Sequence, residues 1–289
     1  MRFGAHVSIR GRIHRAVDRA VAIGCECMQI FVGNPRQWRP VVYDRSDLAE
    51  FRRKRAGASL DPLFAHTPYL VNLAADGELH ERSTRSLLHT LRVVAALEGA
   101  GAVTHIGSAA VPFPRAVARV AWAVRRALRA SEGVAILLEG SAGATLGATF
   151  DELRALLDAV DGHPRVGICL DTAHLFAAGW DIRTRTGVGR MLDAFEQTIG
   201  LGRLRLLHLN DSRAPCGSRL DRHENIGQGT IGLRGFRAIV RESRLQGLPA
   251  IIETPGFDRA GLDRRNLDVL KTLRGKSGQD RLRPPTEVP

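Results

Sequence analysis

The sequence predicts a single (β/α)8 barrel, an α/β fold whose functional site lies at the C-terminal ends of the strands. Three observations predict it. Short apolar or β-branched runs recur eight times along the chain, and stretches of helical periodicity lie between them. The runs are largely apolar rather than alternating, as strands buried on both faces are. A chain of 289 residues suits one closed barrel, which typically needs about 250 residues, and no Pro/Gly-rich linker divides it.

In order, residues 2–8 (RFGAHVS) open the barrel. After them Ile13, Val17, Ala20 and Val21 fall on one face at three- and four-residue steps, the period of a helix. Residues 27–32 (CMQIFV), 63–67 (LFAHT) and 102–107 (AVTHIG) read as the next strands, with an amphipathic stretch over 115–130. Residues 134–140 (VAILLEG) precede a second amphipathic stretch over 151–160. Residues 166–172 (VGICLDT), 204–211 (LRLLHLND) and 248–254 (LPAIIET) complete the set. The barrel is expected over residues 1–274. Residues 275–289 (GKSGQDRLRPPTEVP) are polar and Pro-containing, and are expected to form a flexible tail.

Composition narrows the function classes. Hydrophobic residues at 44% and charged residues at 25% are ordinary for a globular core, so disorder is not expected. The net charge of +12 favours polyanionic partners, nucleic acid or anionic membrane surfaces. The lysines are only Lys54, Lys271 and Lys276, and an arginine skew of this kind also follows from genome composition, so charge leaves both readings open. Cys25, Cys27, Cys169 and Cys216 include no CxxC pair and suit a reducing compartment. The N-terminus lacks the apolar core of a secretory signal, and no run reaches the roughly 20 apolar residues of a membrane span. A soluble cytoplasmic protein without a membrane partner is expected.

The chemistry is signalled by position. Six of the eight runs end in a potential metal ligand: His66, His105, Glu139, Asp171, His208 and Glu253. In a parallel barrel every C-terminal strand end opens onto one face. Any one of these side chains alone reads as a hydrogen-bonded structural residue; six together predict a shared pocket. DTAH adds His174 three residues after Asp171, and DRH adds Asp221 and His223 at a spacing that puts both on one side of an extended segment. A group of His174, Asp221 and His223 is stereochemically reasonable. Mixed imidazole and carboxylate ligation suits Zn2+, with Mn2+ or Fe2+ as alternative occupants. Nine donors exceed one tetrahedral site and suffice for three ions if one carboxylate bridges. His14, His80, His89 and His163 read as solvated. His6 faces the same mouth and is left as a candidate support for the ligands.

These motifs resemble the endonuclease IV family, the apurinic/apyrimidinic-site endonucleases of base-excision repair. The resemblance runs from GAHVS at 4–8 to IIETP at 251–255. Its longest stretches are NPRQWRP at 34–40, HTPYLVNLA at 66–74, LDTAHLFAAGWDIRT at 170–184 and HLNDSRAPCGSRLDRHENIGQG at 208–229. It implies a (β/α)8 barrel with three zinc ions. His66, His105 and Glu139 would hold the first; Glu139 would bridge to the second, completed by Asp171, His208 and Glu253. His174, Asp221 and His223 would hold the third. The resemblance also implies that Arg36, Tyr69 and Leu70, with Gln37 beside them, enter the DNA minor groove; without it, loop packing is the better reading. Ile106, Gly140 with Ser141, and Gln228 depart from the family pattern without touching a proposed ligand.

The implied activity is hydrolysis of the phosphodiester 5′ to an abasic site in double-stranded DNA, leaving a 3′-OH and a 5′-deoxyribose phosphate, with trimming of blocked 3′ ends as a second activity. A hydroxide held at Glu139 between two metals is the expected nucleophile, and a monomer suits an enzyme that embraces bent duplex. The main rival is a xylose-isomerase-like sugar isomerase or epimerase with one divalent metal, which Glu139, Asp171, His208 and Glu253 would equally satisfy. His66, His105, His174, Asp221 and His223 separate the two, since a single-metal site does not need them. A non-catalytic lesion-binding barrel is the third reading.

Overall fold

All eight apolar runs form strands, and the strands close on one another. The computed structural model describes residues 1–143, 145–257 and 264–275. The barrel strands are β1 (Arg2–Val7), β2 (Cys27–Phe31), β3 (Leu63–His66), β4 (Gly101–His105), β5 (Ala135–Glu139), β6 (Val166–Asp171) and β7 (Leu204–His208). A short hairpin, β8 (Asp211–Ser212) and β9 (His223–Glu224), precedes the last barrel strand, β10 (Pro249–Ile252). The barrel order is β1-β10-β7-β6-β5-β4-β3-β2, with every neighbour parallel.

The helices are α1 (Arg15–Ala22), α2 (Arg45–Gly57), α3 (Gly77–Ala96), α4 (Phe113–Arg129), α5 (Phe150–Asp158), α6 (Thr172–Ala177), α7 (Arg185–Thr198), α8 (Gly232–Val240) and α9 (Arg264–Arg274). Their placement follows local chemistry. In α4, Ala116, Val120, Ala123, Val124 and Ala127 form the buried stripe that the period predicts. Thr149 starts α5 by accepting from the Glu152 N–H at 3.2 Å, and the Glu152 carboxylate accepts from Gly147 and Ala148 just upstream. The expected seventh run of 204–211 divides: β7 stops at His208, and Asp211 opens the antiparallel hairpin. Of the expected tail, only Gly275 lies within the described residues.

Two apolar layers organise the core. The outer one joins the strands' outward faces to the helices, with Phe3, Phe51, Phe195 and Phe236 fully buried. The inner one fills the barrel: Cys27, Phe64, Val103, Leu137, Cys169, Leu206 and Ile251. Gly4, in register with both Cys27 and Ile251, completes that level. A Cβ there would collide with the Cys27 carbonyl, so only glycine lets β1 approach β2 this closely. Strand side chains alternate in direction, so the residue two positions on points inward again. Two positions beyond this plug stand His6, Gln29, His66, His105, Glu139, Asp171, His208 and Glu253. The apolar plug therefore carries a polar ring at the mouth.

Candidate metal centre

The ring is built around Glu139, whose carboxylate is buried at the end of β5. Its Oε2 lies 2.9 Å from His66 Nε2 and 3.3 Å from His105 Nδ1, while Oε1 lies 3.1 Å from His208 Nδ1. His208 Nδ1 is also 3.4 Å from Glu253 Oε2 and 3.9 Å from Asp171 Oδ2. Asp171 caps α6 with the other oxygen, accepting from the Ala173 and His174 N–H groups at 2.7 and 3.2 Å. That cap turns His174 back to the mouth, where its Nδ1 lies 2.9 Å from the Gly140 carbonyl. Its Nε2 is 3.3 Å from Asp221 Oδ2, and His223 Nε2 is 3.2 Å from Asp221 Oδ1 and 3.6 Å from Asp171 Oδ2.

Ligand atoms gather into three groups: His66, His105, Glu139; Glu139, Asp171, His208, Glu253; and Asp171, His174, His223. Glu139 belongs to the first two. The last grouping differs from the His174, Asp221, His223 set expected from the sequence, because Asp171 reaches between the second and third groups. Asp221, on the loop between β8 and β9, flanks the third from its more exposed side.

The electrostatics favour cations. Against the burial that raises it, His105 and His208 hold the Glu139 carboxyl well below the usual range. Burial alone would lower the histidines. Asp171, Asp221 and Glu139 outweigh it at His174 and push that pKa up to about 10. Asp171 and Asp221 push His223 up to about 9 against its own burial. His105, by contrast, is lowered by burial despite Glu139. The donor set fits divalent metal: five imidazoles and four carboxylates converge, and among the described residues His223 Nε2 is buried 3.2 and 3.6 Å from oxygens of two of the carboxylates with no hydrogen bond of good geometry.

Two residues of this site escape a reading of strand ends alone. Gln29 sits wholly buried in the ring, bonded to Glu253 and His208. Asn210 donates to Asp171 Oδ2 at 2.7 Å and accepts from the Glu253 N–H at 2.7 Å, locking two carboxylate-bearing strands together. The two-residue alternation beyond Cys27 is the signal that points to Gln29; nothing local marks Asn210. His6 Nδ1 lies 3.0 Å from both Glu253 Oε1 and Gln29 Nε2, placing it against the ring from β1.

The four histidines expected to be solvated are all at least partly buried. His14 faces Asp47 at 3.2 Å, His80 binds the Leu73 carbonyl and packs on Trp122, His163 accepts from the Arg165 N–H, and His89 Nε2 is buried on α3. Helices pressed on a barrel leave half-buried flanks, and imidazoles settle there.

The loop after β2 carries Arg36 and Gln37, both exposed, and meets the loop after β3 where the Tyr69 N–H donates to the Pro35 carbonyl at 3.1 Å. Tyr69 is 61% exposed, with its ring edge-on to Phe31, and Leu70 is half-buried beside it. Tyr69 and Leu70 line a 460 Å³ cavity with His105, His174, Arg219 and Asp221, so the loop after β3 rims the metal-ligand mouth, whereas Gln37 lines a separate cavity with Trp38, Arg82 and Arg92. Of the family departures, Gly140 does touch a proposed ligand, because its backbone carbonyl faces His174 Nδ1 at 2.9 Å whatever side chain the position carries. The others lie off the ligands. Ile106 is buried, the Ser141 hydroxyl donates to the Thr145 carbonyl, and Gln228 is exposed. Among the described residues no helix is long and apolar enough to cross a membrane.

Closed barrel and polar ring together define a xylose isomerase-like TIM barrel, the family that matches residues 17–273. A "Probable endonuclease 4" of Cenarchaeum symbiosum (strain A) is 39% identical over 281 residues, covering 95% of this chain and 100% of the relative. The crystal structure of endonuclease IV from Thermus thermophilus superposes with a TM-score of 0.84 at 36% identity, covering 94% of this chain and 98% of that one. The chain belongs to the endonuclease IV family. A D-tagatose 3-epimerase-like protein, at TM-score 0.71 and 16% identity over 94% of this chain and 97% of its own, shares the fold.

Proposed function

We propose that this metal-dependent, DNA-cleaving hydrolase opens the phosphodiester 5′ to abasic sites in duplex DNA, leaving a 3′-OH and a 5′-deoxyribose phosphate, and that it trims blocked 3′ ends. The observation that carries the proposal is the union of ligand groups around Glu139 and Asp171, beyond what one metal requires. Three zinc ions are the proposed complement. His66, His105 and Glu139 would hold one, Glu139, Asp171, His208 and Glu253 another, and His174 and His223 with Asp171 or Asp221 the third. When bound, such cations supply Lewis acidity towards a phosphoryl group and ready deprotonation of water.

The chain's own residues do the rest. Glu139 and Asp171, each common to two groups, would set how far apart the bound cations are held. Tyr69 and Leu70 line the mouth, and with Arg36 and Gln37 from the neighbouring loop they would insert beside a lesion and hold an unstacked nucleotide there. An abasic nucleotide has lost its stacking and enters at lower cost than an intact one. The +12 net charge draws the backbone phosphates. A cytoplasmic monomer is the proposed setting.

The single-metal epimerase reading draws on the Glu139, Asp171, His208, Glu253 group. It gives no use to His66, His105, His174 or His223, and the epimerase-like barrel shares the fold at only 16% identity. Nicking of an abasic duplex, measured with metal content, tests the proposal. Activity that is lost with chelation and restored by zinc is expected. Undiminished nicking after complete metal removal, or one ion per chain with sugar isomerisation, overturns it.

A further inference from the structure

We propose that Gln29 is the positioning residue that decides which His208 nitrogen and which Glu253 oxygen face the metal centre. The inference rests on reading the ring as a metal centre, and not on which substrate it cleaves. Gln29 comes from β2, which contributes no ligand group, and lies fully buried among residues that do. Its Nε2 is 2.8 Å from Glu253 Oε1, and its Oε1 is 3.1 Å from His208 Nε2.

These two contacts settle each other. An ionised carboxylate only accepts, so Glu253 orients the amide with its NH2 group towards Oε1. The amide oxygen is thereby turned to His208, whose Nε2 must donate. His208 Nδ1 then points at Glu139, Glu253 and Asp171 as the ligating atom, and any proton on it must leave when a metal enters. The same amide, with His6 Nδ1 at 3.0 Å, occupies Glu253 Oε1 and leaves Oε2 facing His208 and the centre. One neutral side chain thus orients two ligands from the strands β7 and β10, as hydrogen-bond partners behind metal ligands do.

The bland alternative is that Gln29 only fills the top of the barrel plug. Gln29→Leu and Gln29→Met separate the two, because each keeps most of the volume and removes the amide. Zinc affinity is read by chelator competition, the His208 tautomer by 15N NMR of the histidine ring, and the fold by thermal unfolding of the metal-stripped chain. The expected result is a roughly 10- to 100-fold loss of zinc affinity at one site. The His208 Nε2–H resonance should also shift and exchange faster once its Gln29 acceptor is gone, while the stripped chain melts at or above the wild-type temperature. Wild-type zinc affinity in both variants overturns the inference. So does a loss of zinc that accompanies an equal loss of stripped-chain stability in both. A wild-type chain that binds zinc in this tautomer yet fails to nick abasic DNA overturns the proposed function and leaves Gln29 its role.

Discussion

Replacing Asp211 by Asn tests how the third ligand group is held. Asp211 is fully buried at the start of β8, and its carboxylate collects backbone donors from the far side of the hairpin loop. Oδ1 accepts from the N–H groups of Ser212 at 2.8 Å and Ile231 at 3.0 Å; Oδ2 accepts from Gly227 at 2.9 Å and Gly229 at 3.0 Å; Gly232 is shared at 3.3–3.4 Å. A Cβ on Gly229 would lie 2.5 Å from Asp211 Oδ1, which is why that loop segment needs glycine. In the Asn variant one acceptor becomes an NH2 group, so at least two of these donors face another donor. Hydrogen bonds to a charged group contribute about 1.5–3 kcal/mol each, so the loss is about 3–6 kcal/mol. Whole domains of ordinary stability have only about 5–15 kcal/mol. Unlatching the segment that follows Asp221 and His223 costs less than unfolding the barrel, so the damage should concentrate there.

The expected readout is a melting temperature lower by about 6–24 °C, at roughly 2–4 °C per kcal/mol. The chain should also lose the metal that His174 and His223 are proposed to hold while keeping the one proposed at His66, His105 and Glu139. Scanning calorimetry and metal analysis per chain check both parts. An Asp211→Asn protein that melts within about 1 °C of wild type, well inside the shift of a single kcal/mol, and keeps its full metal complement would refute the reasoning.

Three further substitutions probe the same geometry. Glu139→Gln removes the charge common to two ligand groups. It should therefore reduce nicking by more than the ~10–100-fold that loss of a residue behind a ligand costs, while binding of abasic duplex falls much less. Equal loss of both would mean that Glu139 chiefly holds the ring together. Tyr69→Ala, with the side chain 61% exposed, should leave thermal stability within about 0.5 kcal/mol. It should weaken lesion binding by about 1–3 kcal/mol, the contribution of one aromatic stacked on nucleic acid, and Arg36→Ala should weaken it with a shallower salt dependence. Unchanged affinity in both, measured by fluorescence anisotropy, would return these loops to a packing role.

Much of the ring is readable along the chain because the strand alternation repeats itself. Phe64 and His66, Val103 and His105, Leu137 and Glu139, Cys169 and Asp171, Leu206 and His208, and Ile251 and Glu253 all follow one rule: an inward apolar residue, then an inward ligand type. Gln29 obeys the same rule after Cys27, but an amide is not a ligand type and does not stand out. Asn210 is invisible in the sequence because its partners, Asp171 and the Glu253 N–H, come from other strands. The burial of His14, His80, His89 and His163 is likewise hidden, since helix–barrel flanks exist only once the helices are packed.

By itself the sequence determined the strand count, the period that turns ligand types inward, and the family. The first two depend on local propensity and on alternation, which are properties of neighbours along the chain, and the family on the long motifs that resemble its members. Only the tertiary structure decided which ligand-type side chains lie together. Asp171 stands between two groups because it caps α6 with one oxygen and faces His208 and His223 with the other. Asp221 flanks the third group from a loop whose later segment Asp211 ties down through the Gly227 and Gly229 N–H groups. Such assignments depend on distances between side chains from strands far apart in sequence, and barrel closure alone sets those distances.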